Sequence, residues 1–357
     1  MSQKAAAAEQ VPEGPAHIGL RGWWGVFKRT VREFQKDRVV DLAAGLTYYA
    51  LLSVFPALIV VVSLVGMTGI SGTRTLVDNV RQLPSGQYRV VLIDVIESLE
   101  GTAPTASVFA AAGLALALWS ASRYVAGFIR AVNVIYDMPE GRPVWKLAPL
   151  RLGLTLVMVL LLGVSAVAVA FTGRFAERAG EVLGLGSAFV TAWGVLKWPV
   201  ILVVVMVAVA TLYWAAPNVR QPGWRWITPG SGFAIVAWIA ASAGFAVYVA
   251  NFGSYNQTYG ALAGVVIFLV WMWFSNVTLL LGAEVDAELA RARHLERDGT
   301  VEDEPFIEPR DTRKMDERET HEVCPPDESP SGASPADERQ PGKRQPDERA
   351  PDDRAPR

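Results

Sequence analysis

The chain has 357 residues, of which 51% are hydrophobic, and a formal net charge of −2. One cysteine, Cys324, excludes a disulfide framework within the chain, and three scattered histidines (His17, His294, His321) exclude a histidine-rich metal site, so neither metal nor cofactor is expected. Several apolar runs of about 20 residues, each long enough to cross about 30 Å of hydrocarbon, point to a polytopic all-α membrane bundle rather than a soluble protein.

Residues 1–20 are rich in Ala, Glu, Pro and Gly and are expected to be disordered. They contain no apolar core of a signal peptide. Residues 21–40 follow as GWWGVFKRTVREFQKDRVV with its leading arginine. Trp23, Trp24, Phe27, Val31 and Phe34 recur at helical spacing, with Lys28, Arg29, Arg32, Lys36 and Arg38 between them. This pattern predicts a basic amphipathic helix lying on an anionic membrane surface. The transmembrane domain is expected over residues 41–297.

Span 1 is predicted over 42–66 and holds Tyr48, Tyr49 and Pro56. Proline inside a span frees a carbonyl and kinks the helix. The next segment, about 70–105, is too polar to span. Span 2 starts near Ala106 and is lined with alanine and glycine, which lets helices approach closely. It continues as SRYVAGFIRAVNVIYD, where Arg123 and Arg130, seven apart, share a face. Arg123 is expected near the inner interface, paired with Asp41 or Glu284. Span 3 covers about 150–171, and span 4 ends near Ala216.

Lys197 leaves two readings open. If span 4 begins near residue 187, Lys197 lies deep in the bilayer, where an ionisable group is a functional candidate. If it begins at Trp198, Lys197 is an outer interfacial anchor and Pro199 opens the helix. Spans 5 and 6 are expected over 231–250 and 261–283. Between them lies NFGSYNQTYG, with Asn251 at its entry and Tyr255, Asn256, Gln257, Thr258 and Tyr259 inside it. An exposed loop tolerates charge; this one has none. Uncharged amides and hydroxyls suit a loop that dips to membrane depth and coordinates a polar group, while a plain hairpin turn explains its glycines and tyrosines equally well.

Six spans with both termini cytoplasmic satisfy the positive-inside rule. Residues 21–38 carry six Lys/Arg and 123–151 carry five, against none in 251–260. Beyond span 6, residues 298–357 hold 10 Lys/Arg against 18 Asp/Glu and many prolines. That acidic tail is expected to be disordered.

No nucleophile–base pair, convincing carboxylate cluster or phosphate-binding GxxxxGK[ST] loop occurs, so the chain is not expected to be an enzyme or to hydrolyse nucleotides. Glu284, Asp286 and Glu288 follow span 6, with Glu284 and Glu288 one turn apart. Four blocks, DLAAGLTYYALLSVFPALIVVVSLVG, LWSASRYVAGFIRAVNVIYD, LYWAAPNVR and FGSYNQTYGALAGVVIFLVWMWFSNVTLLLGAEVDAEL, resemble the YihY/BrkB family of bacterial inner-membrane proteins over about 30–295. The resemblance implies six transmembrane helices in the bacterial cytoplasmic membrane and a link to envelope integrity. It also implies transport of lipids or other amphiphiles. The older ribonuclease label of that family conflicts with a chain that has no metal constellation and no soluble domain for RNA. The blocks contribute Tyr48, Tyr49, Pro56, Arg123, Tyr255, Asn256, Tyr259, Gly260 and Glu284, without assigning any of them a catalytic role. The expected partners are membrane lipids, with a homo-oligomer or an envelope protein as further candidates and no nucleic acid. The alternative function is a non-transporting scaffold for envelope machinery.

Overall fold

A computed structural model describes residues 20–66, 93, 106–170, 186–221, 228–251, 261–298, 307–316 and 318–320. Seven helices of seventeen or more residues make up most of it: α1 (Leu20–Lys36), α2 (Val39–Gly66), α3 (Ala106–Ile135), α4 (Val144–Ala170), α5 (Gly186–Ala215), α6 (Pro229–Ala250) and α7 (Ala261–Asp298). Among the described residues there is no strand, only an isolated antiparallel bridge between Val219 and Pro309.

Five helices, α3 to α7, are long and apolar enough to cross a membrane. The chain is therefore a multi-pass helical membrane protein. α2 is 28 residues long and continuous through Pro56. The apolar surface of the bundle helices is not all turned inward: Leu160 and Leu162 of α4, Val195 of α5 and Val236 of α6 are all more than half exposed. Helices apolar all round, with that much bare surface, are solvated by lipid chains rather than by water.

The packed core lies at one end of the bundle, where α3 runs into α4 and α5 leads into α6. It joins Val39, Ala43 and Leu46 of α2 to Phe128, Ile129 and Val132 of α3, Leu212 and Tyr213 of α5, and Leu280, Ala283 and Ala287 of α7. Two close approaches fix it. A Cβ on Gly282 of α7 would lie 2.5 Å from the Tyr213 hydroxyl and 2.6 Å from Ala234, and one on Gly230 of α6 would lie 2.1 Å from the Gly282 carbonyl oxygen. Small residues let α6 and α7 cross at this distance. On the other side, Gly127 of α3 seats Leu46 and Tyr49 of α2. The tight contact of span 2 thus falls there rather than along its alanine-rich first half, where Ala111, Ala112 and Ala115 are exposed.

Local signals set the helix ends. Thr228 caps α6 in a reciprocal capping box with Ser231, and Pro229 occupies the first turn, where its missing N–H costs nothing. Arg38 (φ 50°) and Asp137 (φ 47°) adopt left-handed backbone just after α1 and α3. Arg38 makes the corner that turns α1 directly into α2.

The stretch Ile307–Asp316 departs from the expectation of a tail disordered from residue 298. It runs as a strap across the two links at the core end. Arg310 N–H donates to Asn218 O, Arg220 N–H to Glu308 O, and Lys314 N–H to Gly141 O. Asn218 also donates from Nδ2 to Asp311 O at 2.9 Å and accepts from Asp311 N–H at 3.2 Å. Lys146 and the Asp311 carboxylate form an ion pair. Composition averaged over the whole acidic tail hides these ten residues, because backbone pairing and one asparagine do most of the holding, with only Ile307 and Met315 packed against the core.

Candidate functional site

Among the described residues, two of the cavities lie within the bundle. The larger, about 340 Å³, lies between α2, α3, α4, α5 and α7 and is walled by Ala121 and Val125 of α3, Met158 and Leu162 of α4, and Val205 and Ala208 of α5, among others. Four hydroxyl-bearing residues border it: Ser53 donates to Ala50 O, Thr155 to Arg151 O and Ser165 to Leu161 O, each within its own helix, and Tyr124 donates to Asn276 Oδ1 of α7. The wall is left almost wholly apolar. Its volume falls in the range of about 300–1,000 Å³ typical of ligand pockets.

The second cavity, about 280 Å³, is lined by Tyr49, Trp119, Ser122, Arg123, Ala126, Arg130 and Arg151. Three guanidinium groups therefore converge from α3 and α4. Arg123 lies over the Trp119 ring, 4.4 Å from its centroid, a cation–π contact. None of the three arginines forms an ion pair or side-chain hydrogen bond among the described residues. The Arg151 Nε is buried without any partner. The expected pairing of Arg123 with Asp41 or Glu284 is not made. Arg123 turns instead onto the aromatic ring one helical turn away, and Glu284 is buried elsewhere.

The other candidate residues are scattered. Tyr49 lines the arginine cavity, and Tyr48 is exposed and meets Tyr49 edge-on. Pro56 lies inside α2, in neither cavity. Lys197 is buried, 5.4 Å from the Trp198 ring centroid. Helix α5 runs unbroken from Gly186 through Lys197 and Pro199, so Pro199 does not open it. Proline is tolerated there because membrane helices re-satisfy the freed carbonyl locally. Counted from the core end of α5 at Ala215, Lys197 is about 27 Å along the axis, close to the far edge of a hydrocarbon layer about 30 Å thick. Asn251 caps α6, donating from Nδ2 to Val247 O at 2.7 Å. Tyr255, Asn256, Gln257, Thr258 and Tyr259 lie outside the described residues.

Glu284 is 1% exposed and its Oε2 has no hydrogen-bond partner among the described residues. One turn on, the equally buried Glu288 is held by Arg29 Nε at 2.7 Å and faces Arg291 at 3.6 Å. Asp286, between them, accepts from Gly230 N–H at 2.7 Å and ties α7 to the start of α6. The three acids therefore do three different things and do not gather round one point; among the described residues no metal-holding group of His, Cys, Asp or Glu occurs.

At the core end, outside the spans, Glu33 of α1 is buried. Burial works to raise its carboxyl, but Lys36 and Arg32 more than offset that and hold its pKa below the ordinary value. The Asp311 carboxyl also lies below its ordinary range, chiefly because of the hydrogen bond from Lys146 and the Arg313 N–H.

Sequence reading missed the two polar knots that fix these elements. Asn276 of α7 accepts from the Tyr124 hydroxyl at 2.8 Å and donates to Thr47 Oγ1 at 3.1 Å, tying α7 to α3 and α2. Asn133, Glu140, Arg142 and Asn218 form the second, at the links. An asparagine in the middle of an apolar run was a readable signal for the first. Arg130 and Arg151 were legible only as topology markers, since nothing in their spacing joins α3 to α4.

No solved structure matches the chain. Among characterised sequences it is similar to YfkH of Bacillus subtilis, described as ribonuclease-like, at 29% identity over 71% of this chain and 90% of that protein. It is also similar to a UPF0761 membrane protein of Alkalilimnicola ehrlichii, at 32% identity over 73% of this chain and 58% of the other. A third relative is a UPF0761 membrane protein of Alteromonas mediterranea, at 27% identity over 76% of this chain and 89% of that one. Residues 30–306, which include every residue of both cavities, match the family described as virulence factor BrkB, and the chain belongs to that family.

Proposed function

We propose that this protein translocates lipids or other amphiphiles across the bacterial cytoplasmic membrane, as a six-span bundle with both termini in the cytoplasm, and is not an enzyme. The observation that carries this reading is the apolar cavity of about 340 Å³ at the centre of five helices. Its bordering hydroxyls are all used in hydrogen bonds to other protein groups, so its wall suits hydrocarbon better than a hydrated ion. The 28-residue α2 supplies the sixth span: at 1.5 Å per residue it reaches about 42 Å. In this orientation the packed core, the links and the strap face the cytoplasm.

The test is movement of a labelled phospholipid between the leaflets of liposomes holding the purified chain. Filling the cavity with Ala121→Phe or Ala208→Phe should slow movement at least several-fold while the protein elutes and melts as before. Rates equal to those of empty liposomes would remove unassisted translocation.

A scaffold role is favoured by one observation in α1. Trp24, Phe27 and Val31 are exposed while Val26, Thr30 and Glu33 are buried. That apolar stripe is available to a membrane surface or to an envelope partner. Deleting residues 1–38 would abolish a scaffold's function and leave the cavity-dependent rate largely unchanged.

A further inference from the structure

We propose that the cavity between α3 and α4 is a binding site for a phosphate group, taken by Arg123, Arg130 and Arg151 together, and that its ligand is the phosphomonoester headgroup of a membrane lipid. The proposal deepens the amphiphile reading and rests on it for the ligand being a lipid; the binding of phosphate rests on the arginines alone.

Three positive charges line a space of about 280 Å³ with no acid among its lining residues. The buried Arg142 is answered from within: it meets both oxygens of Glu140 and the carbonyls of Ala215 and Ala216. In the cavity, Arg123 and Arg130 are exposed, Arg151 is half-buried, and the buried Nε of Arg151 has nothing to donate to among the described residues. A buried donor left unpaired is costly, and that cost is removed by an anion brought from outside the chain.

The geometry favours phosphate. A guanidinium fork donates two parallel N–H bonds to a phosphate edge, and a phosphomonoester presents three oxygens and close to two negative charges at neutral pH. Tyr49 and Ser122 add hydroxyls at the rim. Arg130 is about one and a half turns from the end of α3, and Arg151 directly precedes the apolar run of α4 that starts at Leu152. Both therefore sit where a span enters the headgroup layer. Arg123, about 10 Å further along α3, reaches toward the hydrocarbon, with Trp119 beneath it as an interfacial ring. Basic pockets of this kind between spans are where anionic headgroups bind.

The experiment uses the full chain in nanodiscs or detergent and measures binding of short-chain phosphatidic acid, of phosphatidylcholine and of inorganic phosphate. Phosphatidic acid should bind at least about tenfold more tightly than phosphatidylcholine, since its phosphomonoester offers the guanidinium groups more negative charge and more free oxygens. Arg123→Gln, Arg130→Gln and Arg151→Gln should each weaken it about tenfold, and lysine at the same positions should restore part of the loss because the charge returns without the fork. Inorganic phosphate that displaces the lipid completely would assign the site to free phosphate; phosphate that competes weakly assigns it to the lipid. A wild-type chain indifferent to the phosphate headgroup would overturn the proposal whatever the variants do. So would a folded triple glutamine variant that binds phosphatidic acid as tightly as wild type. Translocation that persists in arginine variants unable to bind would separate this site from the central cavity and leave the transport reading standing.

Discussion

Arg142 and the trio of Arg123, Arg130 and Arg151 are the same side chain in two settings. Arg142 is 3% exposed, forked onto Glu140 and capped by two carbonyls at the end of α5. The trio shares one cavity and has no partner among the described residues. The first arrangement is closed: its charge is cancelled, its donors are used, and it fastens the α3–α4 link to α5. The second is open: Arg123 and Arg130 are exposed, Arg151 is half-buried, and their donors are left for water or a ligand. Substitution should therefore act on stability in the first case and on binding in the second.

The largest effect should come from Arg142→Gln. It strands the Glu140 carboxylate and the Ala215 and Ala216 carbonyls, and breaking a buried pair from one side costs about 3–5 kcal/mol. Thermal unfolding in detergent should show a large fall for this variant and little change for Arg123→Gln. An equal loss in both would erase the distinction between the two settings.

Next is the tight crossing of the closed end. Gly282→Ala would place a methyl group 2.5 Å from the Tyr213 hydroxyl and 2.6 Å from the Gly230 carbonyl oxygen. That hydroxyl donates to Leu279 O and has little room to retreat. Overpacking of this sort costs about 1–3 kcal/mol. Gly264→Ala on the same helix meets nothing within 4 Å and should leave the melting temperature unchanged. If both variants melt alike, the crossing is not as close as described.

The acids repeat the contrast on a smaller scale. Glu288→Gln weakens contacts to Arg29 and Arg291 and should lower stability by roughly 1 kcal/mol or more. Glu284→Gln keeps the shape of a buried carboxyl whose Oε2 has no hydrogen-bond partner among the described residues. With no such contact to lose, the melting temperature should hold or rise. A drop as large as that of Glu288→Gln would mean that Glu284 has a partner in the folded protein.

Much of the fold was legible because a bilayer simplifies the code. Apolar runs near 20 residues give the spans, and the interleaved basic residues of α1 give its helix. What was not legible depends on which helices become neighbours. Arg151 looked like a topology charge until α4 placed it beside Arg123. The uncharged loop that drew attention in the sequence lies outside the described residues, so the arginine cavity rests on only two residues of the original candidate set, Tyr49 and Arg123. The strap was hidden for another reason: the Asn218 side chain and the backbone carbonyls of Asn218 and Gly141 hold it, and such bonds leave no hydrophobic period to read.

That strap offers the finest test of the closed end. A Cβ on Gly141 would lie 1.9 Å from the Asp311 carbonyl oxygen, so the strap crosses the link at a distance only glycine permits. The Asp311 carboxylate is held chiefly by Lys146, and its pKa lies below the ordinary value. A group with a depressed folded pKa contributes stability that is fully present above its unfolded pKa and is lost as pH falls through the folded one. The strap should therefore stay docked from neutral pH down to the ordinary carboxylate range and loosen only in stronger acid. Amide exchange at Arg310 and Lys314, corrected for its intrinsic pH dependence, should rise there in wild type. In Asp311→Asn it should already be raised at neutral pH and stay flat. Exchange that ignores acid in both would mean that Asn218 and the backbone pairing hold the strap alone, with the Lys146 contact adding no measurable stability.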